Sequence, residues 1–413
     1  MADARNRASA AAVIRERTPA RAVTPVNRDR RRETQRRRRR RQVRRRRAVA
    51  LLVLLAAPVL YSYTSTMLQP SSLPLGIRSV EWLRTHGSAW LVNDAERLYY
   101  SWKAPARGGP ALRTLPTVGS AAGPGAAGGS YRPKPIAPLV RPRLAGEGVW
   151  RSTGRLVNGA APALVTTFRA DPVYPRIVAY VAWFDHTRTQ LALYPGRYEP
   201  PGANPRGPMQ VPQSQRWRLF ATFNSGFLHR DSGGGFSVNG NTAQPLRKGQ
   251  GTIVAYRDGR VNITSWNGGP TPPADVVLAQ QNLPLIVSNG RPNPLLSNGS
   301  LWGATLGNAV RVWRSGAGID RHGNLIYAAA NDQTAASIAA ILIHAGAIRA
   351  IELDINAEWP TLTTYGPGGT RNATKVVPNT QQSTNRYLVP DDRNFFAIYK
   401  RTSTAGLTSV PFG

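Results

Sequence analysis

The sequence predicts an α+β fold: a strand-rich mixed sheet domain with few helices, preceded by a single transmembrane helix and a Pro/Gly-rich stalk. Three observations predict it. Runs rich in Val, Ile, Tyr, Phe and Trp recur from Ala163 onward, separated by turn dipeptides. Helical spacing in that region is largely confined to 334–345. An uncharged apolar run follows a dense arginine tract near the start.

The chain has 413 residues and carries 54 basic and 21 acidic side chains. Residues 1–47 hold 19 Arg and 4 acids, which leaves 35 basic and 17 acidic groups for the rest. Residues 1–47 therefore read as a disordered, Arg-rich cytoplasmic tail. Arg36–Arg41 and Arg44–Arg47 abut an apolar run from Ala48 to Leu60, which continues more weakly to Leu68. About 20 such residues suffice for one tilted crossing, so 48–68 is predicted as an uncleaved signal anchor in the cell membrane. The arginines on its leading flank set the N-terminus in the cytoplasm and the remainder outside. An Arg tract also suits a nucleic-acid tail, but topology and attraction to anionic membrane lipids explain it here, and nucleic acid is not expected as a partner. The chain has no Cys, so thiol and Cys–metal chemistry are excluded and the exported domain must be stable through its core.

Residues 69–145 are predicted as juxtamembrane helices within 77–102, then a Pro/Gly/Ala/Arg-rich linker from 104 that includes Gly119–Gly129 and is too poor in apolar surface to order itself. The domain proper is predicted over 146–413. Its expected strands are Ala163–Phe168, Arg176–Trp183, Thr189–Tyr194, Trp217–Phe223, Thr252–Tyr256, Val261–Thr264, Asn282–Val287, Ala309–Trp313, Leu325–Ala328 and Phe395–Tyr399. Asn239-Gly240, Asp258-Gly259 and Asn289-Gly290 are hairpin turns by composition.

Three segments could carry chemistry. In the first, a helix over Thr334–Ala345 is closed by Gly346. It leads into a buried strand whose exit, Glu352-Leu-Asp-Ile-Asn-Ala-Glu358, gathers three carboxylates. Two-residue alternation places Glu352 and Asp354 on one face, and a solvated strand end is the plainer reading. In the second, Asn224-Ser-Gly-Phe227 ends a strand and opens a stretch with His229, Arg230, Asp231 and three consecutive glycines. It is either an anion-binding concavity or an ordinary connection. In the third, Arg314 stands at a strand end beside Gly316 and Gly318, where a small-residue loop would expose backbone to a ligand, or it pairs with an acid for structure. No Gly-x-Ser-x-Gly elbow, His-Glu-x-x-His zinc motif or Gly-Lys-Ser phosphate loop is present.

Taken in order, Asn224-Ser-Gly-Phe227, Arg314-Ser-Gly-Ala-Gly318 with its turn at His322-Gly323, and Leu353-Asp-Ile-Asn356 resemble the motifs of the phosphodiester glycosidase family over roughly 150–400. Ser225 stands where that family has Gly, and Ile355-Asn-Ala-Glu358 replaces its glycine run. With Glu147-Gly-Val-Trp150 and the predicted anchor, this variant ending resembles a membrane-tethered actinobacterial branch. The resemblance implies a membrane-tethered extracytoplasmic hydrolase that cleaves a sugar-phosphodiester or glycosidic bond in envelope glycans through an oxocarbenium-like transition state. Asp354, Glu352 and Asn224 would be catalytic. Arg314, Arg230, Arg247, Gly226 and Glu358 would bind substrate. Ca²⁺ held by Asp354 and Glu352 is an alternative use of the same carboxylates. The rival reading is a non-catalytic envelope protein whose basic surface holds anionic glycopolymers.

Overall fold

Helix α1 (Pro25–Leu68) is 44 residues long and contains Pro58. Its segment Arg32–Leu68 is long and apolar enough to cross a membrane. The arginine tract is helical here, whereas a disordered tail was expected. Arginine, glutamine and alanine are good helix formers, and a helix extends from an existing turn far more readily than it starts. This computed structural model describes residues 25–402 apart from 72, 111, 120–130, 205, 304–310 and 379–382, so the first 24 residues of the predicted tail lie outside the described residues. The chain divides into two units, Met1–Ser65 and Thr66–Gly413.

The second unit begins with helices α2 (Leu75–Leu83) and α3 (Ala89–Trp102), joined through Arg84–Ser88. The strands are β1 (Arg151–Ser152), β2 (Ala163–Arg169), β3 (Val178–Phe184), β4 (Thr189–Tyr194) and β5 (Leu219–Asn224). A one-turn helix, α4 (His229–Ser232), precedes β6 (Phe236–Val238), β7 (Asn241–Gln244), β8 (Gly251–Tyr256), β9 (Val261–Ser265) and β10 (Val276–Gln281). Then come β11 (Val287–Ser288), β12 (Arg291–Pro292), β13 (Val312–Ile319), β14 (Leu325–Gln333), helix α5 (Ala335–His344) and β15 (Arg349–Ile355). The chain closes with β16 (Leu362–Tyr365), β17 (Ala373–Lys375) and β18 (Phe395–Lys400). The fold is α+β.

Three antiparallel sheets form. Their orders are β1-β2-β3-β14-β13-β15-β11-β12, β7-β6-β10-β8-β9 and β17-β16-β5-β18-β4. One core gathers side chains from all three, including Phe184, Phe223, Phe236, Ile253, Leu353 and Phe396. A second packs Ile338 and Leu342 of α5 with Trp183, Ile326 and Ala350 of the first sheet. Asn239-Gly240, Asp258-Gly259 and Asn289-Gly290 join paired strands as predicted.

Helix α5 starts with a reciprocal cap: the Thr334 hydroxyl accepts from Ser337 N–H, and Ser337 Oγ accepts from Thr334 N–H. Thr334→Ala should therefore cost about 1 kcal/mol, measured as a lowered urea midpoint with an unchanged slope. No change at all would mean that packing alone sets this helix start.

Some predicted elements differ. Asn282–Val287 is not a strand beyond the short β11 pairing; Pro284 offers no N–H to a ladder, and Asn282 instead bridges two segments. Ala309 and Val310 lie outside the described residues, and the strand extends beyond Trp313 to Ile319. Gly316 and Gly318 are thus strand interior, not a loop. A Cβ on Gly316 would stand 2.8 Å from Leu342 Cδ1, and one on Gly318 would stand 2.6 Å from Ala347 Cβ. These glycines let the helical layer approach the sheet closely.

The described parts of 104–145 are laid across the domain and do not form a stalk. Val118, Ile136 and Val140 are buried. Ile136 N–H donates to Gly148 C=O at 2.8 Å, and Trp150 Nε1 donates to Lys134 C=O at 2.9 Å. A proline-rich extended chain is already stiff, so a few apolar anchors hold it. Buried Glu147 fixes the neighbouring corner by accepting from Arg169 N–H, Nε and Nη2 and from Leu144 N–H.

Candidate active site

The strand exit at β15 is shaped by a bulge. Arg314 pairs with Ile355 and Gly316 with Glu352, so β15 carries one extra residue across this interval. The bulge interrupts the alternation expected for Glu352 and Asp354, and the two acids take separate arginine partners.

Glu352 Oε1 meets Arg314 Nη1 at 2.5 Å with both side chains fully buried. Arg314 also donates from Nε to Gln333 C=O at 2.9 Å and from Nη1 to Trp302 C=O at 3.0 Å. Burial raises the Glu352 pKa, and Arg314 pulls it back. The structure therefore gives Arg314 the structural role, sealed in the interior with an acid.

Asp354 is 5% exposed. Its Oδ1 accepts from Ile355 N–H at 2.9 Å, and its Oδ2 pairs with Arg393 Nη1. Burial pushes the carboxyl up to about 7, with Arg393 opposing. Asn224 is buried beside it. Its Nδ2 donates to Ser315 Oγ at 2.9 Å, Ser315 Oγ donates to Asp354 C=O at 2.8 Å, and Asp354 N–H donates to Ser225 C=O at 3.2 Å. Asn224 Oδ1 accepts from Tyr327 Oη and Thr361 N–H. The three predicted segments thus converge, but Asn224 ties strands together and Arg314 turns to Glu352.

A cavity of about 380 Å³ adjoins this point, walled by Arg393, Trp359, Glu199, Tyr198, Arg230 and side chains of α2. Arg393 lies over the Trp359 ring, 3.9 Å from its centroid, and its buried Nε makes no hydrogen bond. Glu199 Oε2 accepts from His229 N–H at 3.0 Å, and burial raises its pKa against the pull of that bond and of Arg393. Asp392, also in the wall, is pushed to about 6 by burial and by Asp391.

Apart from Arg230 in the cavity wall, the remaining predicted residues are dispersed. Arg230 is half exposed, 3.8 Å from Asp231. Arg247 is exposed and does not line this cavity; its guanidinium lies where a Cβ on Gly233 would fall. The neighbouring Gly234 and Gly235 pack against Gln281 and Leu246, so this run serves close packing. Gly226 faces the Asn282 amide, 2.7 Å from where its Cβ would be, and Asn282 in turn accepts from Phe227 N–H and donates to Glu352 C=O. Glu358 lines a separate cavity of about 300 Å³ with Glu81, Arg84 and Glu96, and its pKa is raised by burial and then by Glu96. There α3 meets the strand exit: Tyr100 Oη donates to Asn356 Oδ1 and Asn356 Nδ2 to Glu96. Arginines occupy both carboxylates proposed for Ca²⁺, and no cluster of three metal-ligating side chains occurs among the described residues.

Sequence reasoning missed Arg393 and Glu199. The available signals were Asp391-Asp392-Arg393 just before a strand and Tyr198-Glu199-Pro200 just after one. Charges at strand ends commonly mark sites, but nothing local distinguished these from solvated turns.

These carboxyls set a pH dependence. Asp354 at about 7 and Asp392 at about 6, together with Asp332 of β14, outside the site, at about 6, all titrate above the ordinary 3.8. A raised folded pKa means stability that is full below the unfolded value and lost as pH rises through the folded one. The melting temperature should therefore fall between pH 5 and pH 8, and Asp354→Asn should shrink that fall. A melting temperature that rises over this interval would contradict the assignment.

No family model matches this chain, and no curated protein sequence matches it. Among solved structures, a hypothetical protein from Synechocystis aligns at TM-score 0.35 and 12% identity, covering 61% of this chain and 64% of that one. The chain thus spans just under two thirds of that protein. The catalytic domain of zebrafish N-acetylglucosamine-1-phosphodiester alpha-N-acetylglucosaminidase, auto-inhibited by its pro-peptide, aligns at TM-score 0.38 and 13% identity, covering 61% and 88%. A putative exported protein from Burkholderia pseudomallei aligns at TM-score 0.26 and 10% identity, covering 55% and 75%.

Proposed function

We propose that the protein is a membrane-tethered, extracytoplasmic hydrolase that cleaves a sugar-phosphodiester or glycosidic bond in cell-envelope glycans. The observation that carries this reading is Arg393, which stands in the cavity wall with an unused Nε donor, pairs with Asp354 and interacts electrostatically with Glu199. Carboxyls raised by burial supply proton transfer near neutral pH. A fixed guanidinium stabilises charge developing on a leaving phosphate. Asp354 is the acid/base or nucleophilic carboxylate and Glu199 the second carboxyl. Arg393 and Arg230 hold the anionic group, and Asn224, through Ser315, positions the strand that presents Asp354.

The test is incubation of the full-length protein in detergent with a panel of sugar 1-phosphodiesters and envelope polymers. Release of reducing sugar is expected. Tight binding of the polymers without any release would favour the anionic-glycopolymer binder.

A further inference from the structure

A third cavity, of about 280 Å³, lies at the opposite end of β15 from Asp354, lined by Arg349, Arg321, Arg260, His186, His322 and Asp320 among others. The six steps from Arg349 to Ile355 span about 20 Å at roughly 3.3 Å per residue. We propose that this cavity is an anion site for a phosphate group, free or borne on a sugar or polyol.

The charge balance carries the proposal. Asp320 keeps its negative charge, but both its oxygens are taken by neutral donors, so it reaches neither cavity arginine with an ion pair. Oδ1 accepts from His322 N–H and Asn324 N–H, and Oδ2 accepts from Trp183 Nε1 and Asn324 Nδ2. Arg260 is balanced by Asp258 at 2.5 Å. Among the described residues, neither Arg321 nor Arg349 forms an ion pair with an acid, so against the single carboxylate of Asp320 the cavity keeps a net positive charge.

One of them is also oriented. Arg349 donates from Nε to Ile263 C=O and from Nη2 to Asn262 Oδ1, both at 2.7 Å, which fixes the plane of its fork. A fork already held in place loses little freedom when an anion docks. The turn that carries Arg321 is braced as well. The His322 ring packs on Tyr131 with centroids 3.8 Å apart, and His186 Nδ1 lies 2.9 Å from Asn324 Oδ1. The volume is roughly nine times the ~30 Å³ share of one water, room for a phosphate with one small polyol or sugar attached. Guanidinium groups match phosphate oxygens in pairs.

The proposal is independent of the hydrolase reading, since it concerns residues that the cavity beside Asp354 does not contain. Inorganic phosphate and, separately, glucose 1-phosphate are titrated into the full-length protein in detergent at fixed salt, with binding read by calorimetry and located by hydrogen-exchange mass spectrometry. Saturable binding with protection at Ile319–Gly323 and Ile348–Arg349 is expected. Arg321→Ala should weaken it at least tenfold and Arg321→Lys less. Arg321 sits exposed in a turn, and retained exchange protection of β13 verifies the fold of each variant. The site is overturned if protection is confined to the arginine tract before residue 48, or if Arg321→Ala binds as the parent does. Preference for glucose 1-phosphate over inorganic phosphate would identify a sugar-borne group as the ligand; the reverse would identify free phosphate.

Discussion

Asp354→Asn should lower turnover in the proposed hydrolysis by roughly 10²–10⁴-fold, the usual contribution of a positioned proton-transfer group. The protein should stay folded, because the amide keeps the side chain's size and an oxygen for the Ile355 N–H bond. Asparagine is preferred to alanine here. Alanine would also take away every side-chain oxygen that Arg393 and Ile355 N–H meet, and breaking a buried pair so completely costs about 3–5 kcal/mol on its own. Initial rates of sugar release, paired with circular dichroism, separate the two effects. A rate within a few-fold of the parent, with native spectra, would remove Asp354 from the chemistry.

Arg314→Ala should be the most destabilising single change in this region, by about 3–5 kcal/mol, because it strands Glu352 uncompensated in the interior. It also removes donors from the Gln333 and Trp302 carbonyls. Joint replacement by Arg314→Met and Glu352→Leu should recover most of the loss, since a buried ion pair often exchanges with apolar residues of similar volume at little net cost. Urea denaturation measures both. A single variant that loses under about 1 kcal/mol would mean water reaches the pair, against the complete burial seen here. Activity is expected to follow the folded fraction of each variant, which distinguishes this structural arginine from one that holds substrate.

Much of the fold was legible because its signals are local. Asn-Gly and Asp-Gly pairs marked hairpins, β-branched and aromatic runs marked strands, and the apolar spacing before Gly346 marked α5. What was not legible depended on distant contacts. Gly316 and Gly318 looked like a loop, and only the nearness of Leu342 and Ala347 explains them inside a strand. The chain around 131–145 looked unable to order itself, since its anchoring surfaces are supplied by β1, β2 and the turn at Glu147. For the site, the convergence of the Asn224, Arg314 and Asp354 segments was readable from motif order. The direction of each side chain was not, because one extra residue in β15 re-aims Asp354, and alternation cannot foresee a bulge. Arg393 meets Asp354 and interacts electrostatically with Glu199, groups drawn from distant parts of the chain, a proximity that no short motif encodes.

The Arg314–Glu352 pair has a consequence for how the chain finds its native state. A slip of one residue between β13 and β15 would reverse which side chains face the apolar layers, leaving a guanidinium and a carboxylate each alone in oil. Few misaligned sheets could survive that expense. The pair therefore acts as a key cut for one alignment, and the Met/Leu double variant, though nearly as stable, should refold with more off-register, aggregation-prone species.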